Sequence, residues 1–228
     1  MITCKFIIVS ANNIFCLSKD ETSNITSIYP NILFEYIENN TKSLAEIYNY
    51  YLNNISNDID YLCFLHADVK LDIKNLVDKI ETCKDKYDVM GLCGCSKISV
   101  SKSPLNWYTG SSDFITERWG CVSHGEQNNQ KSFFNLHTPN VSDHPAACID
   151  GLCIIFSKTA INTGLRFDET LGKYSFYDTD ISFQAVINKK LRLGVLIQQD
   201  LYHFSVGKSI LSDQFKEDEK IFRKKWNF

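Results

Sequence analysis

The chain has 228 residues, with 24 Lys and Arg against 27 Asp and Glu, for a formal net charge of −3. A balance this close to neutral gives no reason to expect nucleic-acid binding, which usually shows a basic face. Hydrophobic residues at 44% and charged residues at 22% are the mix of a folded globular chain, long enough for one α/β domain over residues 1–228 with a substantial core.

The first predicted strand covers residues 6–10 and is followed by the polar turn Ala11-Asn12-Asn13. Residues 31–38 (NILFEYIE) read as a second strand ending in Glu38-Asn39-Asn40. Ser43 and Glu46 then make a capping box for a helix with Leu44, Ile47, Tyr48, Tyr51, Leu52 and Ile55 on one face. In residues 59–65, six of seven positions are apolar or aromatic, as in a strand buried on both faces of a parallel sheet. Asp72 caps a second helix with the stripe Ile73, Leu76, Val77, Ile80 and Cys83, and residues 87–95 return as a strand. The order β-β-α-β-α-β predicts a mostly parallel central sheet flanked by helices.

From 101 to 147 the periodicity is lost, in a stretch carrying Trp107, Tyr108, Arg118, Trp119 and three histidines. A run of this length is expected to be a functional loop. Residues 147–156 form a strand interrupted at Asp150-Gly151, and a loop at 166–169 leads to Tyr177-Asp178-Thr179-Asp180 and a helix to about Asn188. A last strand at 191–197 precedes Tyr202-His203-Phe204. The terminal helix, 214–226, has Phe215, Phe222 and Trp226 on one stripe beside Lys220, Arg223, Lys224 and Lys225. Docking of that stripe on the domain is expected over contact with an anionic membrane.

No apolar run reaches the roughly 18 residues of a membrane span, and the run near the N-terminus is too short for a signal peptide. Cysteines number nine. Cys63, Cys93, Cys148 and Cys153 lie in apolar runs, and Cys93-Gly94-Cys95 has no C-x-x-C partner that would build a zinc site. Reduced thiols and a cytosolic location are expected.

The third strand ends abruptly in two polar residues, His66 and Asp68, on the same side. Open α/β sheets bind ligands at the carboxyl ends of their strands. An imidazole and a carboxylate there suit a divalent metal that holds phosphate, although a merely solvated strand end reads equally well on this stretch alone. Asp178 and Asp180 can cap their helix or present carboxylates, and His203 can be structural or a ligand. No cysteine has the electropositive setting of a nucleophile, and G-x-S-x-G, P-loop and G-x-G-x-x-G motifs are absent.

In order, FIIVSANN at 6–13, Glu38-Asn39, SLAEIYNYYL at 43–52, CFLHADV at 63–69, IDGLCIIFSK at 149–158, FDE at 167–169, YDTDIS at 177–182 and YHFSVGK at 202–208 resemble a family 2-type glycosyltransferase of the GT-A fold. The nearest likeness is to a compact bacterial and viral group with H-x-D in place of D-x-D. The resemblance implies that Asp68 holds Mn²⁺ or Mg²⁺ against the diphosphate of a nucleotide-sugar donor, with His203 completing the metal site. His66 then either touches the metal or orients the ribose, and Ser10, Asn12, Glu38 and Asn49 line the nucleotide pocket. Asp178 matches the catalytic base. Tyr177 replaces the Glu that usually contacts the acceptor, Asp150-Gly151 lie beneath the acceptor, and Trp107 belongs to the loop suited to stacking on sugar.

The chemistry agrees with these roles. A cation stabilises the charge on a departing nucleoside diphosphate, carboxylates help an oxocarbenium-like centre, and a base on the opposite face implies inversion. The expected enzyme moves a sugar, from UDP by preference, to a hydroxyl of a glycan, a lipid-linked sugar or a protein. It would have at most peripheral membrane contact, at the inner face of a membrane, with a homodimer left open. A non-catalytic nucleotide-sugar-binding module is the alternative, since H-x-D and Tyr177 depart from the commonest pattern. A metal-dependent phosphohydrolase would want a denser cluster of Asp and His.

Overall fold

The computed structural model describes residues 1–98, 118–126, 129–137, 141–172, 174–205 and 212–228; Trp107 lies outside them. The chain opens with strand β1 (Cys4–Val9), helix α1 (Lys19–Ile28) and strand β2 (Ile32–Ile37). Helix α2 (Leu44–Asn53) leads into strand β3 (Tyr61–His66), and β1 pairs in parallel with both β2 and β3. Helix α1 is a correction to the expected β-β start. Parallel neighbours need a crossover, and α1 supplies it. Its capping box is present, with Ser18 Oγ accepting from Glu21 N at 3.2 Å and Ser18 N donating to Glu21 Oε2 at 2.8 Å. Of its side chains only Thr22 is fully buried, so no apolar period marks it.

The other expected helices form as read. In α2, Glu46 N donates to Ser43 Oγ at 3.2 Å and Ser43 N to Glu46 Oε2 at 2.9 Å. After the short strand β4 (Val69–Lys70) comes α3 (Ile73–Cys83), capped by Asp72, with its five predicted stripe residues all buried. The single strand expected at 87–95 is two, β5 (Val89–Gly91) and β6 (Cys93–Cys95), each in a different sheet.

The segment read as irregular contains a hairpin, β7 (Arg118–Glu126) with β8 (Asn129–His137), and then β9 (Asp143–Pro145). Strand β10 (Cys148–Ile149) and strand β11 (Cys153–Ser157) flank the predicted break at Asp150-Gly151. There follow α4 (Lys158–Asn162), α5 (Tyr177–Phe183) continued by a π-turn to Asn188, β12 (Leu193–Leu196), β13 (Leu201–His203) and α6 (Asp213–Trp226).

Among the described residues the main sheet runs β2-β1-β3-β11-β5-β12-β9, with β11 and β9 antiparallel to their neighbours and the other pairings parallel. A second sheet runs β10-β6-β7-β13-β4. Strand alternation divides the core. Phe6, Ile8, Cys63 and Leu65 pack on one face of the main sheet with α3, while Ile7, Phe64 and Phe156 pack on the other with α2, α4 and α5. Each such large side chain, fully removed from water, contributes about 1.5–3 kcal/mol. All nine cysteines are free thiols, eight of them buried. No helix of the described residues is long and apolar enough to cross a membrane.

Candidate active site

The site forms where the second sheet meets the C-terminal end of β3. His66 is the last residue of β3, opposite Val9 of β1, and its N–H donates to Leu152 O at 3.0 Å. The following turn is pinned from two sides, by Cys16 N on Ala67 O at 2.8 Å and Phe204 N on Asp68 O at 2.8 Å. Strand β4 begins at the next residue and pairs antiparallel with β13, setting His203 opposite Val69. This pairing carries His203 Nε2 to 3.3 Å from Asp68 Oδ1, while His66 Nδ1 lies 4.0 Å from the same oxygen. One ligand atom from each of His66, Asp68 and His203 falls within 4.8 Å of the others, a set that could hold a metal ion.

Protonation suits that use at His66 and Asp68, whereas His203 would have to give up its proton to a cation. Burial, and then the charge of His203, push the His66 pKa down, so His66 is a neutral imidazole with a lone pair to give. Burial opposes charge on Asp68, but its hydrogen bond to His203 prevails and holds the carboxyl below its usual value. Burial likewise opposes charge on His203, and Asp68 more than offsets it, raising the pKa. His203 Nδ1 is buried without a hydrogen-bond partner. Two imidazoles and a carboxylate make a donor set that fits Mn²⁺.

A cleft of about 530 Å³ opens on this cluster, lined by Ser10, Asn12, Asn40, His66, Asp68 and His203 among others. Ser10 is buried and its hydroxyl donates to Asn12 Oδ1 at 2.9 Å, shaping the loop after β1. The loops after β1 and β2 are tied by a reciprocal pair, Asn13 Nδ2 to Asn39 Oδ1 at 2.9 Å and Asn39 N to Asn13 Oδ1 at 2.7 Å. Two of the expected pocket residues are elsewhere. Glu38 is exposed and accepts from Lys19 Nζ at 2.9 Å, and Asn40, two residues on, reaches the cleft instead. Asn49 is buried, and its amide is spent on the loop after α4, with Phe167 O at 2.9 Å, Phe167 N at 2.9 Å and Glu169 Oε1 at 2.7 Å.

Asp178 stands at the second position of α5. Its carboxylate accepts from Thr179 N at 2.7 Å and from Gly151 N at 3.1 Å. Burial first, and then the neighbouring Asp150 carboxylate, push its pKa up to about 7 against those two donors. Asp150 itself closes a turn by accepting from Leu152 N at 2.8 Å. Tyr177 does not face an open acceptor site. Its ring is buried among Tyr48 and Phe167, and its hydroxyl lies 2.7 Å from His66 Nε2. Sequence reasoning also missed His124, which β7 sets opposite His203 with ring centroids 5.0 Å apart. Only its place among three histidines of an unassigned segment could have drawn notice.

The profile of a family described as "Glycosyltransferase like family" matches residues 5–226. The chain belongs to that family. Membership makes it a glycosyltransferase, as the order of its motifs implied. Among solved structures, GalNAc-T7 with UDP, GalNAc and Mn²⁺ is similar with a TM-score of 0.54 at 10% identity, over 98% of this chain and 48% of that one. A197 from STIV gives 0.49 at 15% identity, over 90% and 86% of the two chains. S. aureus TarS 1-349 gives 0.45 at 13% identity, over 88% and 60%. The chain thus spans most of A197 but about half the length of GalNAc-T7. At such identities the likeness speaks to fold, and the GalNAc-T7 superposition agrees with the mixed α/β architecture of GT-A glycosyltransferases. No curated protein matches the chain.

Proposed function

We propose that this glycosyltransferase is a metal-dependent, inverting enzyme of the compact H-x-D type, using a nucleoside-diphosphate sugar with UDP as the expected nucleotide. The observation that carries the reading is the His66, Asp68 and His203 cluster on the wall of a 530 Å³ cleft at the carboxyl end of β3. Those three side chains would hold the divalent cation, Mn²⁺ in preference to Mg²⁺. When bound, such an ion offsets the negative charge that gathers on a departing diphosphate.

The protein's own groups account for the remainder. Ser10, Asn12 and Asn40 shape the cleft beside the cluster and are suited to hold the nucleotide. Asp178 is the base: as a carboxylate it takes the proton of the acceptor hydroxyl, whose oxygen bonds to the anomeric carbon as the bond to the diphosphate breaks. Attack from the face opposite the leaving group inverts that carbon. A carboxyl tuned to about 7 is well matched to proton transfer near neutral pH, which favours an enzyme over a module that only binds. The Gly151 N–H fixes the Asp178 carboxylate. The acceptor is a glycan, lipid-linked or protein hydroxyl.

The test is turnover of a panel of nucleotide sugars by the full chain before and after chelation. EDTA should abolish donor turnover and Mn²⁺ restore it. Turnover indifferent to chelation would remove the metal from the mechanism.

A further inference from the structure

We infer that Tyr177 is a positioning residue of the cation site: its hydroxyl holds the His66 ring so that Nδ1 faces Asp68 and His203, and it ties the helix bearing Asp178 to that cluster. This rests on the metal-dependent reading above. An imidazole has two nitrogens, and His66 uses them on opposite sides. Nε2 meets Tyr177 Oη at 2.7 Å, and Nδ1 lies 4.0 Å from Asp68 Oδ1. The nitrogen engaged by tyrosine is closed to a cation, which leaves Nδ1 as the ligand. A cation on Nδ1 requires the ring proton on Nε2, from where it is donated to Tyr177 Oη. Ligating histidines commonly have such an acceptor, and it sets both tautomer and ring orientation.

Gly151 supports the same conclusion from the other side. A Cβ at that position would sit 1.9 Å from Tyr177 Oη and 2.5 Å from the ring carbon that carries it. The backbone there is not left-handed, so conformation alone does not call for glycine; the space taken by the tyrosine hydroxyl does. Gly151 N–H also donates to Asp178 Oδ2 at 3.1 Å. His66, Tyr177, Gly151 and Asp178 therefore form one connected set, in which the proposed base is the chain neighbour of the residue that orients a metal ligand.

Tyr177→Phe removes the hydroxyl and leaves the ring packed against Tyr48 and Phe167. We expect it to weaken Mn²⁺ binding, measured by electron paramagnetic resonance or calorimetry without nucleotide, about ten- to a hundredfold, with the melting temperature nearly unchanged. Gly151→Ala, which displaces the hydroxyl, should weaken Mn²⁺ binding likewise, with a lowered melting temperature from the overpacking. In the Mg²⁺-loaded parent, ¹⁵N correlation spectra should show His66 protonated at Nε2 alone, and in Tyr177→Phe a mixture of tautomers. Asp68→Ala separates the two levels of the argument. If Asp68→Ala loses Mn²⁺ while Tyr177→Phe binds it like the parent, the role of Tyr177 is overturned and the metal reading stands. A parent with no Mn²⁺ affinity, or one that Asp68→Ala leaves intact, overturns the metal reading and this inference with it. His66 protonated at Nδ1 in the Mg²⁺-loaded parent overturns the inference without recourse to any variant.

Discussion

At Asp178 opposing influences meet on one carboxyl group. Burial and the nearby Asp150 favour the protonated form, while two backbone N–H donors favour the charged one, and burial wins, to about 7. A base must be ionised to act, so activity should rise with pH through neutrality. At pH 6 only about a tenth of the carboxyls are charged, one unit below the pKa. The acidic limb of kcat/KM against pH should therefore bend near 7 and move to lower pH when Mn²⁺ is saturating, because a nearby cation favours the carboxylate. A flat profile from pH 5.5 to 8 would remove Asp178 from the role of base. Asp178→Asn should lower transfer by about a hundred- to ten-thousand-fold while UDP and Mn²⁺ bind as in the parent. Each carboxylate oxygen of Asp178 accepts a backbone N–H, so the asparagine turns an amide N–H₂ toward one donor, and its melting curve belongs beside the rate. Asp68→Ala should behave oppositely, losing metal-dependent UDP binding and activity together.

The pairing of α5 with α6 shows what an element adds to a residue. On the sequence Asp180 reads as a residue of the helix start, whose loss would weaken that start. In the structure it is fully buried and its carboxylate faces α6, accepting from Trp226 Nε1 at 2.9 Å and Gln184 Nε2 at 2.7 Å, with Lys225 Nζ at 2.9 Å. Around it Phe176, Phe183 and Phe222 form a separate buried cluster with Leu171. Phe176 itself has a left-handed backbone, φ 61°, a strained setting for a bulky residue that ring stacking on Phe222 at 5.2 Å helps to offset. Asp180→Ala should cost about 2–3 kcal/mol, the lower side of a broken buried ion pair because Lys225 keeps some solvent. Phe222→Ala should cost about 3–5 kcal/mol by the cavity it leaves. Urea unfolding measures both. A cost below 1 kcal/mol for Phe222→Ala would mean that α6 is not docked in solution.

On the scale of the whole molecule, α6 also bears on membrane contact. Its apolar stripe is turned inward, with Phe222 buried and Trp226 and Phe215 packed on the cluster. Most of its cations are neutralised by partners: Lys216 by Asp213, Lys220 by Glu217, Arg223 by Glu219 and Lys225 by Asp168 and Asp180. The structure thus shows that helix docked on the domain by its apolar stripe. In a flotation assay at low salt the protein should stay with the soluble fraction when mixed with anionic vesicles. Recovery with the vesicles would require a second attachment surface. The larger architecture explains why the cluster exists at all. β3 supplies His66 from the main sheet, β13 supplies His203 from the second sheet, and the β4–β13 pairing joins them at Asp68.

The residues that carry their own local physics could be read directly. β3 is apolar because both its faces are covered, α2 and α3 show capping residues and 3.6-residue stripes, and the abrupt His66-x-Asp68 end of β3 marks the candidate site. The roles of Asp68, Asp178 and His203 came from motif order and remain within the proposal. Features that depend on partners distant in the chain were not legible. Helix α1 has a capping box but too little buried surface to show a period, and β7 and β8 acquire their regularity from each other. Glu38 and Asn49 have suitable chemistry in suitable motifs, yet an ion pair and a loop strap claim them. Residue type and spacing determined which groups could do the chemistry. Tertiary structure decided which of them meet, because a side chain has few polar atoms, and each one given to a structural partner is lost to a ligand.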